Sequence, residues 1–158
     1  MLPPPSAPPP SSPPPPIAPP SPPPNSCIER VLITRSTRLC SFLARANLTG
    51  ADLSRANLDG ADLRGAILDS ADLSEASLRG ANCRGASFVG AHLHSANLAE
   101  AELTHVDFRG ANLVQASFAS SDLSGVDLGS ALLNGASFDD VRALEGLSVT
   151  FDAAEMQG

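Results

Sequence analysis

From Leu43 to Phe138 every fifth residue is Leu or Phe, with the single exception of Cys83. Two residues before each of them stands a small side chain, nearly always Ala. Five residues turn an α-helix by about 500°, so these apolar groups would scatter around a helix axis. On a strand the facing side flips at every residue, so an odd period throws successive Leu to opposite sides. All of them can share one interior only if the chain turns a corner in every repeat. The spacing therefore requires a coil wound around its own Leu and Ala, a solenoid.

The repeats read Ala46-Asn47-Leu48-Thr49-Gly50, Ala51-Asp52-Leu53-Ser54-Arg55, Ala56-Asn57-Leu58-Asp59-Gly60, and run unbroken to Ala136-Ser137-Phe138-Asp139-Asp140. This resembles the pentapeptide repeat family, whose consensus is A(D/N)LXX, over residues 41–140, twenty repeats. The resemblance implies an all-β, right-handed, quadrilateral β-helix with four repeats per coil, hence about five coils. It also implies that the central Leu or Phe and the preceding small residue point inward, and that the other three positions face solvent. Independently, Phe88 and Phe108, Phe118 and Phe138, and Val106 and Val126 are each twenty residues apart. In a four-sided coil each pair stacks one rung above the other. Ala-Ser-Phe also recurs at a spacing of thirty, from Ala86 and from Ala116, so these pairs suggest the coil length without fixing it.

Four segments follow. Residues 1–26 hold all fifteen prolines. Proline lacks an amide donor and fixes φ, so this stretch reads as a disordered or polyproline II arm, reaching on the order of 70 Å. It is an inert extension, a spacer or a ligand for a Pro-binding domain. Residues 27–40 read as a cap over the first coil, residues 41–140 as the solenoid, and residues 141–158 as a C-terminal cap, tail or dimer contact. Gly falls at the last position of nine repeats, where the chain must turn and a residue without Cβ is tolerated. Asn and Asp dominate the position before the central Leu, where their side chains can bond nearby backbone at the corners.

Net charge is −7. Between residues 100 and 140 stand Glu100, Glu102, Asp107, Asp122, Asp127, Asp139 and Asp140 against Arg109 alone. With twenty residues per coil, Asp107 lies beneath Asp127 and Glu102 beneath Asp122, and like charges one rung apart repel. These seven residues form the candidate acidic interaction surface. Its field favours basic partners and disfavours direct nucleic-acid binding. Some members of the resembled family are DNA mimics that bind a type II topoisomerase. That makes an acidic gyrase modulator the alternative to a plain protein-binding or scaffold module.

His92 and His94 flank inward Leu93 and face outward, but no third ligand accompanies them at metal spacing, so no metal and no cofactor is expected. No catalytic motif stands out, and a smooth convex rod lacks the concave site that catalysis uses, so no enzymatic activity is expected. Three cysteines are too few for a disulfide framework, and only Cys27 and Cys40 stand where they could pair. No stretch reads as a secretory signal or a membrane span. The expected setting is the cytoplasm. Arg30, Arg35, Arg38 and Arg45 leave organelle import as an alternative. The expected partner is another protein, with no membrane partner and with a homodimer through the C-terminal end as a further option.

Overall fold

The inward positions of consecutive repeats come together because the chain makes a tight turn after each of them. In the computed structural model, which describes residues 43–142, the carbonyl of each central residue from Leu43 to Leu133 accepts a hydrogen bond from the N–H three residues on, as in Ala46 to Leu43 and Ala96 to Leu93 (3.0 Å in both). The third residue of every such turn has positive φ, from Arg45 (φ 59°) to Asp140 (φ 53°). That places φ > 0 at one turn residue only, as a type II turn requires. Glycine fills nine of these positions, and Arg, Ser, Glu, His, Gln or Asp fills the other eleven.

Between turns the β character shrinks to one residue per repeat. Single parallel bridges join residues twenty apart, from Asn47 to Ile67 through Asp122 to Arg142. They fall into four columns, and these are the four sides of the column. Side one carries Asn47, Ile67, Ser87, Asp107 and Asp127. Side two carries Asp52, Asp72, His92, Asn112 and Leu132. Side three carries Asn57, Ser77, Asn97, Ser117 and Ser137. Side four carries Asp62, Asn82, Glu102, Asp122 and Arg142. Among the described residues there is no helix and no longer strand. The ladder continues to Arg142, two residues past the last repeat. The Pro-rich arm, the 27–40 segment and the C-terminal stretch beyond Arg142 lie outside the described residues, as do Cys27 and Cys40.

The central side chains fill the column completely. Leu63, Leu73, Leu93 and Phe88 are fully buried, and the small residues two before them leave room for these large groups at the corners. Phe88 stacks on Phe108 (centroids 5.1 Å apart) and Phe118 on Phe138 (5.0 Å). Each pair is one rung apart, as the twenty-residue spacing anticipates. Phe108 on side one also meets Phe118 on side three edge to face at 6.0 Å. Opposite sides therefore touch across the middle and leave no lumen.

Two packing details carry predictions. Ser121 occupies a small inward position held by Ala or Val in every other repeat from Ala46 onward, and its buried hydroxyl has no hydrogen-bond partner among the described residues. Ser121→Ala should raise stability by about 1 kcal/mol in chemical denaturation, because it removes an unpaired buried polar group. A loss of stability would show that the hydroxyl is satisfied. At the corners, a Cβ added to Gly60 (φ +64°) meets nothing, whereas one added to Gly125 (φ +68°) overlaps the His105 imidazole. Gly60→Ala should cost about 1–2 kcal/mol for the left-handed backbone alone. Gly125→Ala should cost more, and equal losses would remove the steric part of this account.

Candidate functional site

Functional side chains on this fold can only be the outward ones, and the backbone claims some of them first. In each interior repeat the N–H groups of four residues find backbone acceptors, either in the turn or in an adjacent coil. The N–H of the residue after the central one has no backbone partner. The Asn or Asp before the central residue supplies the missing acceptor, as in Asn47 to Thr49 N–H (3.1 Å), Asp72 to Ser74 N–H (2.9 Å) and Asn97 to Ala99 N–H (3.0 Å). This explains the A(D/N)L pattern by local hydrogen bonding. Where Ser77 and Ser87 replace the Asx residue, the coil below compensates. Asp59 accepts from the Ser77 hydroxyl and Arg79 N–H, and Asp69 accepts from the Ser87 hydroxyl and Val89 N–H. Sequence reading missed this substitution, although its signal was present: an Asp eighteen residues before each of those two serines.

The seven candidate acidic residues divide among three sides. Asp107 and Asp127 stack on side one, and Glu102 and Asp122 stack on side four. Asp139 lies on side three, with Glu100 and Asp140 at the corners that follow its repeats. Arginines accompany several of them. Arg109 grips Asp107 through Nε and Nη2 (2.6 Å for the shortest contact) and reaches Asp127 at 3.7 Å. Arg84 stands 3.7 Å from Glu102, and Arg79 pairs with Glu100 at 2.7 Å. The expected repulsion between stacked carboxylates is thus met by cations, two of them from outside the 100–140 window. Exposed pairs of this kind contribute little stability each. Their effect here is to fix where the side chains lie.

These contacts also tune protonation. The Arg109 fork holds the Asp107 carboxyl below its usual range against the opposing effect of partial burial. Arg64 does the same for Asp62. The Ser74 hydroxyl and N–H lower Asp72, and those of Ser124 lower Asp122. A carboxylate with a depressed folded-state pKa stabilises the fold above its unfolded pKa and loses that contribution as pH falls through the folded value. The melting temperature should therefore hold from neutral pH to about 5 and fall below about 4. Asp122→Asn, which keeps an oxygen for Ser124 N–H, should weaken that fall. A melting temperature that rises on acidification would contradict the assignment.

On side four a shallow depression is lined by Arg84, Glu100, Glu102, Thr104, Asp122 and Arg142. Arg84 Nε donates to Thr104 Oγ1 at 3.0 Å across it. His92 and His94 are exposed on side two, and His105 is exposed at a corner. Among the described residues no group of three or more His, Cys, Asp or Glu is placed to hold a metal ion. Cys83 is a buried free thiol, and desolvation pushes it up to about 12. No described helix is long and apolar enough to cross a membrane. Two large apolar side chains face outward where the pattern normally places Asx or Ser: Ile67 on side one (41% exposed) and Leu132 on side two (51%).

The pentapeptide repeat family model matches residues 41–80, 76–115 and 101–140, together well over half of the chain. Similar solved structures include a pentapeptide repeat protein from the Arabidopsis thaliana thylakoid lumen. It is 32% identical, with 60% of this chain and 59% of that one covered and a TM-score of 0.34. Another is the pentapeptide repeat protein Rfr23 from the cyanobacterium Cyanothece 51142, at 36% identity, 61% and 60% coverage and a TM-score of 0.33. A third is QnrB1, a plasmid-mediated fluoroquinolone resistance protein, at 22% identity, 58% and 67% coverage and a TM-score of 0.30. The matched region spans about three-fifths of the length of the first two. No curated protein matches the chain. With its five-residue register, its turn after every central residue and its Asx-bonded corners, this chain belongs to the pentapeptide repeat family.

Proposed function

We propose that the protein is a non-enzymatic binding or scaffold module whose outward rows are read by another protein. The observation that supports this is the filled interior. The central side chains of opposite sides meet across the column, so chemistry is left to the outer faces. Those faces present side chains at the fixed spacing of stacked rungs, about 4.8 Å. A partner whose groups match that spacing binds a surface that needs no reorganisation. Side four, with Glu100, Glu102 and Asp122 around its depression, is the part of the acidic surface that suits a basic partner group. In this reading the Pro-rich residues 1–26 tether the rod or recruit a second protein, and residues 27–40 and 141–158 protect its two ends. Chemical crosslinking in extracts of the native organism tests it. Wild type should capture a partner that Glu102→Arg/Asp122→Arg loses, while a chain lacking residues 1–25 retains it. Identical captures from wild type and the charge-reversed variant would remove side four from the proposal.

The net charge of −7 supports a second reading, an acidic modulator of a type II topoisomerase. The arginine pairing of Asp107, Glu102 and Glu100 weighs against a continuous phosphate-like row. A supercoiling assay separates the two readings: unchanged gyrase activity at micromolar protein, with no gyrase binding, rejects the second.

A further inference from the structure

The depression on side four is bipolar. Glu102 and Asp122 stand one rung apart in a single row, and Arg142 follows one rung above. Asp122 spends Oδ1 on the Ser124 hydroxyl and N–H (2.6 and 3.0 Å), which leaves Oδ2 without a hydrogen bond among the described residues. At the lower end Arg84 donates from Nε to Thr104 Oγ1, and its Nη1 stands 3.7 Å from Glu102. One backbone donor is left over there. Asn82 and Asp122 serve the N–H groups of Arg84 and Ser124 (3.3 and 3.0 Å), but Glu stands at 102, and Thr104 N–H has no acceptor among the described residues. Residue type prevents compensation from the coil below. The place from which Asp59 serves Arg79 N–H, twenty residues back, is taken here by Arg84, itself a donor. The depression thus has donors at both ends and carboxylates between them.

Building on the proposal that side four is a partner-binding face, we infer that the partner lays an extended segment along it with the pattern acidic-x-basic-x-acidic. The basic group meets Glu102 and Asp122, one carboxylate meets Arg84 and Thr104 N–H, and the other meets Arg142. Alternate residues of a strand share one face, and three of them span about 13–14 Å. The donors at the two ends of the depression are two to three rungs apart, roughly 10–14 Å at about 4.8 Å per rung. A purely basic segment would bring its outer cations onto Arg84 and Arg142, and a purely acidic one would bring its centre onto Glu102 and Asp122. Like-charge juxtaposition disfavours both.

Amide NMR of the isotope-labelled full chain tests this with two acetylated, amidated peptides, Glu-Ser-Arg-Ser-Glu and Arg-Ser-Glu-Ser-Glu. They share composition and net charge, so only the order of charges differs. The first should shift the amides of Thr104 and its side-four neighbours and bind roughly fivefold more tightly than the second, which is the scale that a few exposed ion pairs supply. Its binding should fade at about 1 M salt, where the Debye length is about 3 Å. Arg84→Glu/Arg142→Glu, changed only at exposed side chains, should keep the wild-type spectrum elsewhere and lose the preference between the peptides. Equal affinity for the two peptides would overturn the inference. So would shifts away from side four, no binding of either peptide at millimolar concentration, or a preference that the double variant retains. Each of these leaves side four standing as a binding face. That broader reading falls on the separate result that Glu102→Arg/Asp122→Arg captures the same proteins as wild type.

Discussion

Phe108→Asp is expected to unfold the middle of the column. Phe108 is fully buried, stacks on Phe88 and meets Phe118 edge to face. Losing the ring costs about 3–5 kcal/mol in cavity and contacts. An unpaired carboxylate in the same space adds several more, against a total stability on the order of 5–15 kcal/mol. Coils in a solenoid support mainly their neighbours, so hydrogen exchange should lose protection first in the coils around residue 108. Phe108→Leu puts the commonest central residue in that space; it loses the ring contacts but buries no charge, and it should cost less than Phe108→Asp. Unchanged circular dichroism and melting for Phe108→Asp would contradict its inward placement.

The second large effect depends on position along one side. The central residues of side two are Leu53, Leu73, Leu93, Leu113 and Leu133, so side-chain chemistry is constant and only depth varies. Leu73 has a coil below and a coil above and is fully buried. Leu73→Ala should cost about 2–5 kcal/mol in urea unfolding. Leu133 lies in the last described coil and is only half-buried. Leu133→Ala should cost roughly 1 kcal/mol, in proportion to the smaller apolar area it covers. Equal losses at the two sites would mean that Leu133 is as deeply packed as Leu73.

The inward residues were legible because burial writes itself into apolar spacing. The period of five excluded helix and strand, and the pairs Phe88–Phe108 and Phe118–Phe138 hinted at the rung repeat that the stacked rings display. The role of Asn and Asp at the corners was also readable, since the turn leaves one N–H per interior repeat without a backbone acceptor and an Asx side chain two residues back can reach it. The corner conformation was only half legible. Glycine marks positive φ, but Arg45, Glu75, Gln115 and their like adopt it without any sequence signal, because the turn and the ladder on either side impose it. The acidic residues were read as one surface because they are close in sequence. A twenty-residue coil instead deals neighbours onto different sides, and it brings in Arg79 and Arg84 from the preceding coils. Charge patterns on such a fold need to be read at intervals of twenty.

The central claim is that residues twenty apart are stacked neighbours and residues ten apart lie on opposite sides. Pyrene excimer fluorescence reads this directly, in a chain with Cys27 and Cys40 changed to Ser and with buried Cys83 left in place. Labels on Ser77→Cys and Asn97→Cys, which bridge on side three, should give strong excimer emission. Labels on Ser77→Cys and Ser87→Cys, on sides three and one, should give monomer emission only. Excimer from the second pair, or none from the first, would contradict the four-sided coil.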